Sequence, residues 1–169
     1  MRLFAIASIF ILATLLIGLG SHPQSAPTPN YADGITGPLD GQVFEGRLVS
    51  IDGSIDLQDN LQFADGHFWS AGCIKCSFLP GEYTANAIDG VVEFSGELGS
   101  DERGTFTYKG RVESGVIKVE IHWVRKRWYW TTERDYVFHG EIEMSAEKAI
   151  PLKAAWNRAL GQPLQSCPI

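Results

Sequence analysis

The chain has no Gly-x-Ser-x-Gly elbow and no glycine-rich phosphate loop, so neither acyl transfer on serine nor nucleotide binding has a motif to rest on. Histidine is scarce. His22 falls in a proline-rich stretch, and His67, His122 and His139 fall on strand faces expected to meet solvent. Cysteine is limited to Cys73, Cys76 and Cys167. No second Cys-x-x-Cys and no His pair completes a zinc site, and Ser77 stands where haem attachment requires His. Positive charge is short as well. Without Arg2 the chain carries 13 Lys+Arg against 20 Asp+Glu, a formal charge of −7, which argues against nucleic acid and anionic membranes as main partners. Helical periodicity is rare, whereas 18 glycines among 169 residues point to β structure with many turns. With 44% apolar and 20% charged residues, the length supports one domain with a sizeable core.

The N-terminus is of another kind. Met1-Arg2 supplies one positive charge and Leu3 to Gly20 is apolar apart from Ser8 and Thr14, the pattern of an export signal, with Gly18-Leu19-Gly20 as a cleavage site. An uncleaved anchor is the alternative, since 18 residues is at the short end for a spanning helix. Residues 21–41, with Pro23, Pro27 and Pro29, read as a tether. A periplasmic or secreted location follows from this reading.

Register can be derived for the stretch Gly104 to Gly140. A two-residue turn at Ser114-Gly115 pairs Val112 with Ile117, Gly110 with Val119, Tyr108 with Ile121 and Phe106 with Trp123 on one face. The other face then pairs Arg111 with Lys118, Lys109 with Glu120 and Thr107 with His122, and is solvated. Asp52-Gly53, Asp65-Gly66 and Asp89-Gly90 pass the same test, giving Leu48/Leu57, Phe63/Phe68 and Ala85/Phe94. Eight strands are expected near 42–51, 54–63, 67–70, 83–88, 91–98, 104–113, 116–125 and 135–144. One spacing recurs on the inner face: Phe44-x-Gly46, Phe94-x-Gly96, Tyr108-x-Gly110 and Phe138-x-Gly140. Such glycines let a strand coil and leave room for a neighbour's ring. The fold expected is all-β, a single antiparallel up-and-down eight-stranded barrel over 42–144, with a two-sheet sandwich as the alternative. Pro151, the apolar set Leu152, Ala155, Trp156, Ala159 and Leu160, and Gly161 describe a short helix within 145–169, lying on the barrel wall or plugging one mouth.

Cys73-Ile-Lys-Cys76 lies between strands, before Pro80-Gly81, so a structural role is expected ahead of a redox one. A bridge from Cys167 to Cys73 or Cys76 would clamp the helix and leave one thiol buried or capped. The basic and aromatic tip Arg125-Lys-Arg-Trp-Tyr-Trp130 either covers the barrel rim or C-terminal helix with its rings, or meets a planar or sugar ligand or a membrane surface.

The run Phe63-Ala-Asp-Gly-His-Phe68-Trp-Ser70, Cys73, Phe78-Leu-Pro-Gly-Glu-Tyr83, Phe94, Tyr108-Lys-Gly110 and Trp123 resembles a group of uncharacterised exported bacterial proteins. Its strand, Gly-Cys, Gly-x-Tyr, strand rhythm is also similar to small envelope β domains of the META type, with Ile74 where that type has Asn. The meander resembles calycin-like (lipocalin-like) barrels, although their Gly-x-Trp opening is absent. The calycin resemblance implies carriage of a small apolar molecule.

Three functions are expected in descending order. The first is a non-enzymatic exported barrel binding a small hydrophobic or aromatic ligand among Phe44, Tyr83, Phe94, Tyr108, Trp123, Tyr136 and Phe138, with Arg125 meeting an acidic head group. The second is an envelope structural or protein-interaction module with a filled core, since ten inward aromatics, counting Phe63, Phe68 and Phe106, leave little room. The third is a thiol–disulfide redox protein. No catalytic residue, metal or cofactor is assigned.

Overall fold

The computed structural model describes residues 37–143, 149–161 and 167. The expected export signal, most of the tether, and Met144 lie outside the described residues.

Three tight turns set the frame of the molecule. At Asp65-Gly66, Asp89-Gly90 and Ser114-Gly115 both residues take positive φ, 53° and 71°, 50° and 80°, and 52° and 78°. That is the geometry of a type I′ turn, whose twist matches the strands it joins. The strands are β1 (Val43–Ser50), β2 (Asp56–Ala64), β3 (His67–Ser70), β4 (Gly81–Ile88), β5 (Val91–Ser100), β6 (Gly104–Glu113), β7 (Val116–Arg127) and β8 (Trp130–Ile142). Two helices complete the order, α1 (Ala71–Lys75) after β3 and α2 (Leu152–Leu160) after β8. Each strand is antiparallel to its predecessor, and β1 pairs with β8 to close an eight-stranded barrel rather than a sandwich.

The register follows the sequence arithmetic. Tyr108 faces Ile121 and Phe106 faces Trp123, Phe63 faces Phe68, Ala85 faces Phe94, and Leu48 faces Leu57. Inward glycines leave room that a neighbouring ring or backbone occupies. A Cβ built on Gly110 would sit 2.2 Å from the Phe94 ring, and one on Gly96 would sit 2.5 Å from the Phe68 ring. At the closing seam Gly46 faces Gly140, and a Cβ on Gly46 would lie 2.0 Å from the His139 carbonyl oxygen. Backbone meets backbone there with no space for a side chain.

Several boundaries differ from expectation. Ile51–Ser54 form a loop instead of a two-residue turn, because Asp52 accepts hydrogen bonds from the Ser50 and Ser54 hydroxyls and the Ser54 amide. Those bonds hold the Asp52 carboxyl well below the usual carboxylate range. Residues 37–41 are part of the barrel rather than tether. Leu39 is fully buried, and the Asp40 carboxylate accepts from the Gly66 amide and the Tyr83 hydroxyl. β7 and β8 extend further than expected, to Arg127 and from Trp130, so that only Trp128 and Tyr129 form the turn. Helix α1 has no helical periodicity to announce it. It starts because the Ser70 hydroxyl accepts the Cys73 amide at 3.0 Å, an N-cap. Pro151 caps α2 instead of occupying its first turn. α2 packs against α1, and the Ile150 amide just before it donates to outward-facing, buried Gln62, so the helix docks outside the barrel over α1 and β2.

Gly110→Val and Gly96→Val are each expected to cost about 1–3 kcal/mol through overpacking of the ring that occupies the site. Gly99→Ala, with nothing within 4 Å of its Cβ, is the control and is expected to stay within about 0.5 kcal/mol of wild type in urea melts.

Candidate functional site

The expected ligand-binding rings do converge, and they converge on one another. Phe44 lies 6.0 Å from Phe63, Phe63 lies 5.2 Å from Tyr83 and 5.1 Å from Phe94, and Phe68 lies 5.0 Å from Tyr108. The chain of contacts continues from Tyr108 to Phe106 at 6.3 Å, and from Phe106 to Tyr136 at 5.9 Å and Trp123 at 6.1 Å. These are the centroid separations of rings in direct contact. Phe44 and Phe138 have no exposed surface, and Phe94, Tyr108 and Tyr136 are no more than 4% exposed. Tyr83 and Trp123 are partly buried. Tyr83 hydrogen-bonds Asp40, and Trp123 Nε1 donates to the Arg103 carbonyl at 2.9 Å. Arg125 is partly buried and pairs with Thr132 on the β7–β8 ribbon, two residues beyond Trp123.

Two residues that the sequence reading did not place close the interior. Leu39 enters beside the β2–β3 turn, and Phe78, 2% exposed, enters from the connection after α1 with its ring 4.9 Å from Phe106. Neither belongs to an alternating strand, which is the signal that found the others.

A polar cluster sits at the α1 side of this core. Asp59 faces Gly46 and is therefore in inward phase. The same arithmetic that pairs Leu48 with Leu57 pairs these two, so the inward phase of this carboxylate is readable from the sequence. Asp59 accepts from the Ser70 hydroxyl, the Gly72 amide at 2.9 Å and the Asn60 amide at 2.9 Å. Burial raises its pKa despite these bonds. Cys73 lies next to it, with its sulfur 3.3 Å from the Tyr108 hydroxyl. Burial, and after it the Asp59 charge, push the Cys73 thiol up to about 12.

Cys76 is joined to Cys167, across 91 residues of sequence, with Cα atoms 4.8 Å apart, while Cys73 is free and buried. Of the open pairings, the structure selects this one because Cys76 ends α1, against which α2 packs. Cys73 has the opposite of a redox cysteine's environment, which is electropositive and lowers the thiol pKa.

No protein-family model, curated protein or solved structure matches this chain. Geometry alone therefore supports a functional reading.

The β7–β8 tip is the remaining feature. Trp128 is 93% exposed, Tyr129 67% and Trp130 44%, with Tyr129 4.5 Å from Trp128 and 6.2 Å from Trp130. The expectation that these rings cover the rim or the C-terminal helix is overturned: the ribbon runs on past its neighbours and carries them into solvent. Elsewhere the outer wall has an open groove of about 780 Å³ lined by Glu93, Lys109, Arg111, Lys118, Glu120 and His139, the charged rows of the wet face.

Non-reducing peptide mapping is expected to recover Cys76 linked to Cys167 and Cys73 as a thiol. Cys167→Ser opens a loop of about ninety residues and is expected to lower stability by up to about 4 kcal/mol in the chain-entropy account. Asp59 provides a pH test. Its folded-state pKa is raised above the ordinary 3.8, so the folded chain holds this proton to higher pH than the unfolded one. That contribution to stability is complete below the unfolded value and lost as pH rises through the folded one. Asp59→Asn removes the linkage. Between about pH 4 and about pH 8, the melting-temperature difference is expected to move in favour of the variant as pH rises. A constant difference would mean that Asp59 titrates alike in both states.

Proposed function

We propose that the protein is a non-enzymatic, exported β-barrel with a filled core that acts through its outer surface, with the β7–β8 tip as the contact. The observation that carries this reading is the unbroken chain of ring contacts from Phe44 through Phe63, Phe68, Tyr108 and Phe106 to Tyr136. Ligand sites in barrels are cavities of several hundred Å³. Here the residues that would line one use their surface on each other, and inward Gly96 and Gly110 are covered by rings within 2.5 Å of where a Cβ would stand. Binding an apolar molecule inside would require these rings to separate.

A redox role has less support, because Cys76 is committed to Cys167 and the Cys73 thiol is buried beside a carboxylate. Export rests on the pattern of residues 1–20 and agrees with a disulfide, since such bonds persist in oxidising compartments.

Native mass spectrometry of protein purified from its own envelope is expected to show the bare polypeptide. Apolar acids are expected to leave Trp123 emission unchanged. In the same preparation, Trp128→Asn with Tyr129→Gly is expected to release the protein from envelope fragments without lowering its melting temperature. A co-purifying apolar molecule, displaced by added fatty acid, would overturn this reading in favour of the barrel as a carrier.

A further inference from the structure

We infer that the β7–β8 tip is an interfacial anchor for an anionic lipid surface, its rings entering the headgroup region while Arg125, Lys126 and Arg127 meet lipid phosphates. This rests on the outer-surface reading above and names its partner.

The composition of the turn is the first observation. Three tight hairpins of this barrel use Asp-Gly or Ser-Gly with both residues at positive φ. The fourth uses Trp128-Tyr129, neither of which has positive φ. Two-residue hairpins favour Asn, Asp and Gly, whose backbones adopt the primed turn at least cost. Aromatic side chains contribute nothing to that geometry. With Trp128 93% exposed and Tyr129 67% exposed, they bury little against the fold either. Their placement is explained by what they meet outside it.

Projection is the second. The last rung that β7 shares with β6 is Val124 with Thr105, and the last that β8 shares with β1 is Tyr136 with Ser50, followed by one bond from the Ile51 amide to the Asp135 carbonyl. Beyond Val124 the ribbon has rungs of its own, from Arg125 with Thr132 to Arg127 with Trp130. Three residues at about 3.3 Å each carry the tip about 10 Å past the Thr105 rung, with the β5–β6 turn alongside its base, where Arg127 Nη2 donates to the Glu102 carbonyl at 3.3 Å. Interfacial segments bury their apolar side to about 5–10 Å, so the ribbon is long enough to place its rings at the headgroup level without submerging the barrel. Trp and Tyr are the residues that partition there, because each has an apolar body and a polar edge.

Charge is the third. Three cations in a row stand directly behind the rings in a chain whose net charge is −6. The opposite end of the barrel, with the turns at 65–66, 89–90 and 114–115, presents Asp65 and Asp89 and no Lys or Arg in those turns, while Glu113 beside them is ion-paired with Arg111 at 2.9 Å. The net charge, read from composition alone, argues against anionic membranes, but the run Arg125-Lys126-Arg127 is gathered at one end of the barrel, where it outreaches Asp52, Asp101 and Glu102 of the neighbouring turns. An anionic surface attracts the tip and repels the far end, which orients the molecule. Partly exposed Arg125 and exposed Lys126 and Arg127 are close enough to the tip for that attraction to act within a Debye length.

The test uses the protein as its host leaves it, wild type and variants prepared alike, with two sets of sucrose-loaded vesicles: equimolar phosphatidylglycerol and phosphatidylcholine, and phosphatidylcholine alone. Sedimentation is expected to show binding to the anionic set at least about tenfold tighter than to the neutral set, weakening as salt is raised. Trp128→Asn with Tyr129→Gly, which installs a favourable turn, is expected to abolish sedimentation with an unchanged melting temperature. Lys126→Gln with Arg127→Gln is expected to remove the anionic preference and the salt dependence. Equal binding of wild type and the turn variant, or equal binding to both vesicle sets, overturns the inference. So does a turn variant released from native envelope fragments while wild type ignores protein-free vesicles. That last result leaves the outer-surface reading standing and assigns the tip to a protein or glycan partner, whereas retention of the turn variant on native envelope fragments removes both.

Discussion

Ring against glycine is the contact on which the rest of this barrel depends. A sheet of eight short strands closes only if each strand coils strongly, and coiling brings backbones and large side chains into the same narrow volume. The chain meets that constraint by omitting the side chain where a ring or a backbone must pass: Phe94 covers Gly110, Phe68 covers Gly96, and the Gly46–Gly140 pair lets β1 and β8 approach at the seam. Because the rings take the space that the glycines leave, curvature and core filling have a single cause. The functional consequence is that the interior holds the protein's own aromatics.

The ends of the barrel are closed by segments outside the alternating strands. Leu39 enters at one end, held by the Asp40 bonds to Gly66 and Tyr83. At the other, α1 and Phe78 enter, and the Cys76–Cys167 bridge holds the end of the chain to α1. The polar groups this brings inside are satisfied locally. Asp59 is an acceptor for Ser70, Gly72 and Asn60, and Cys73 and Tyr108 contact each other. A buried carboxylate beside a buried thiol suppresses thiolate formation, so the cluster is chemically quiet and its role is to cap α1 and fill the base of the barrel.

With the inside occupied, the informative residues are those whose placement the fold does not need. The wet face pairs charges across strands as any solvated sheet does. The β7–β8 tip instead gives up turn-forming residues for three exposed rings backed by three cations. Local rules are broken there without a stabilising return, and such sites are where function is to be sought.

Strand order, register and the inward set follow from the sequence by itself, because the two-residue period and the turn dipeptides are local: one turn position determines which face every residue of its hairpin occupies. Helix α2 is legible for the same reason, its spacing repeating over one turn. The inward phase of Asp59 was equally legible. Closure was expected from the ring-x-glycine spacing, with a sandwich left open, whereas the filling of the interior, the pairing of Cys76 with Cys167 and the exposure of Trp128 were decided only by the tertiary structure. Each depends on volume or on contacts between residues far apart in the chain. Whether rings leave a cavity is a matter of packing in three dimensions that no periodicity encodes. Which cysteine meets Cys167 depends on where α2 docks, and whether a hairpin tip is covered depends on how far it outruns the strands on either side.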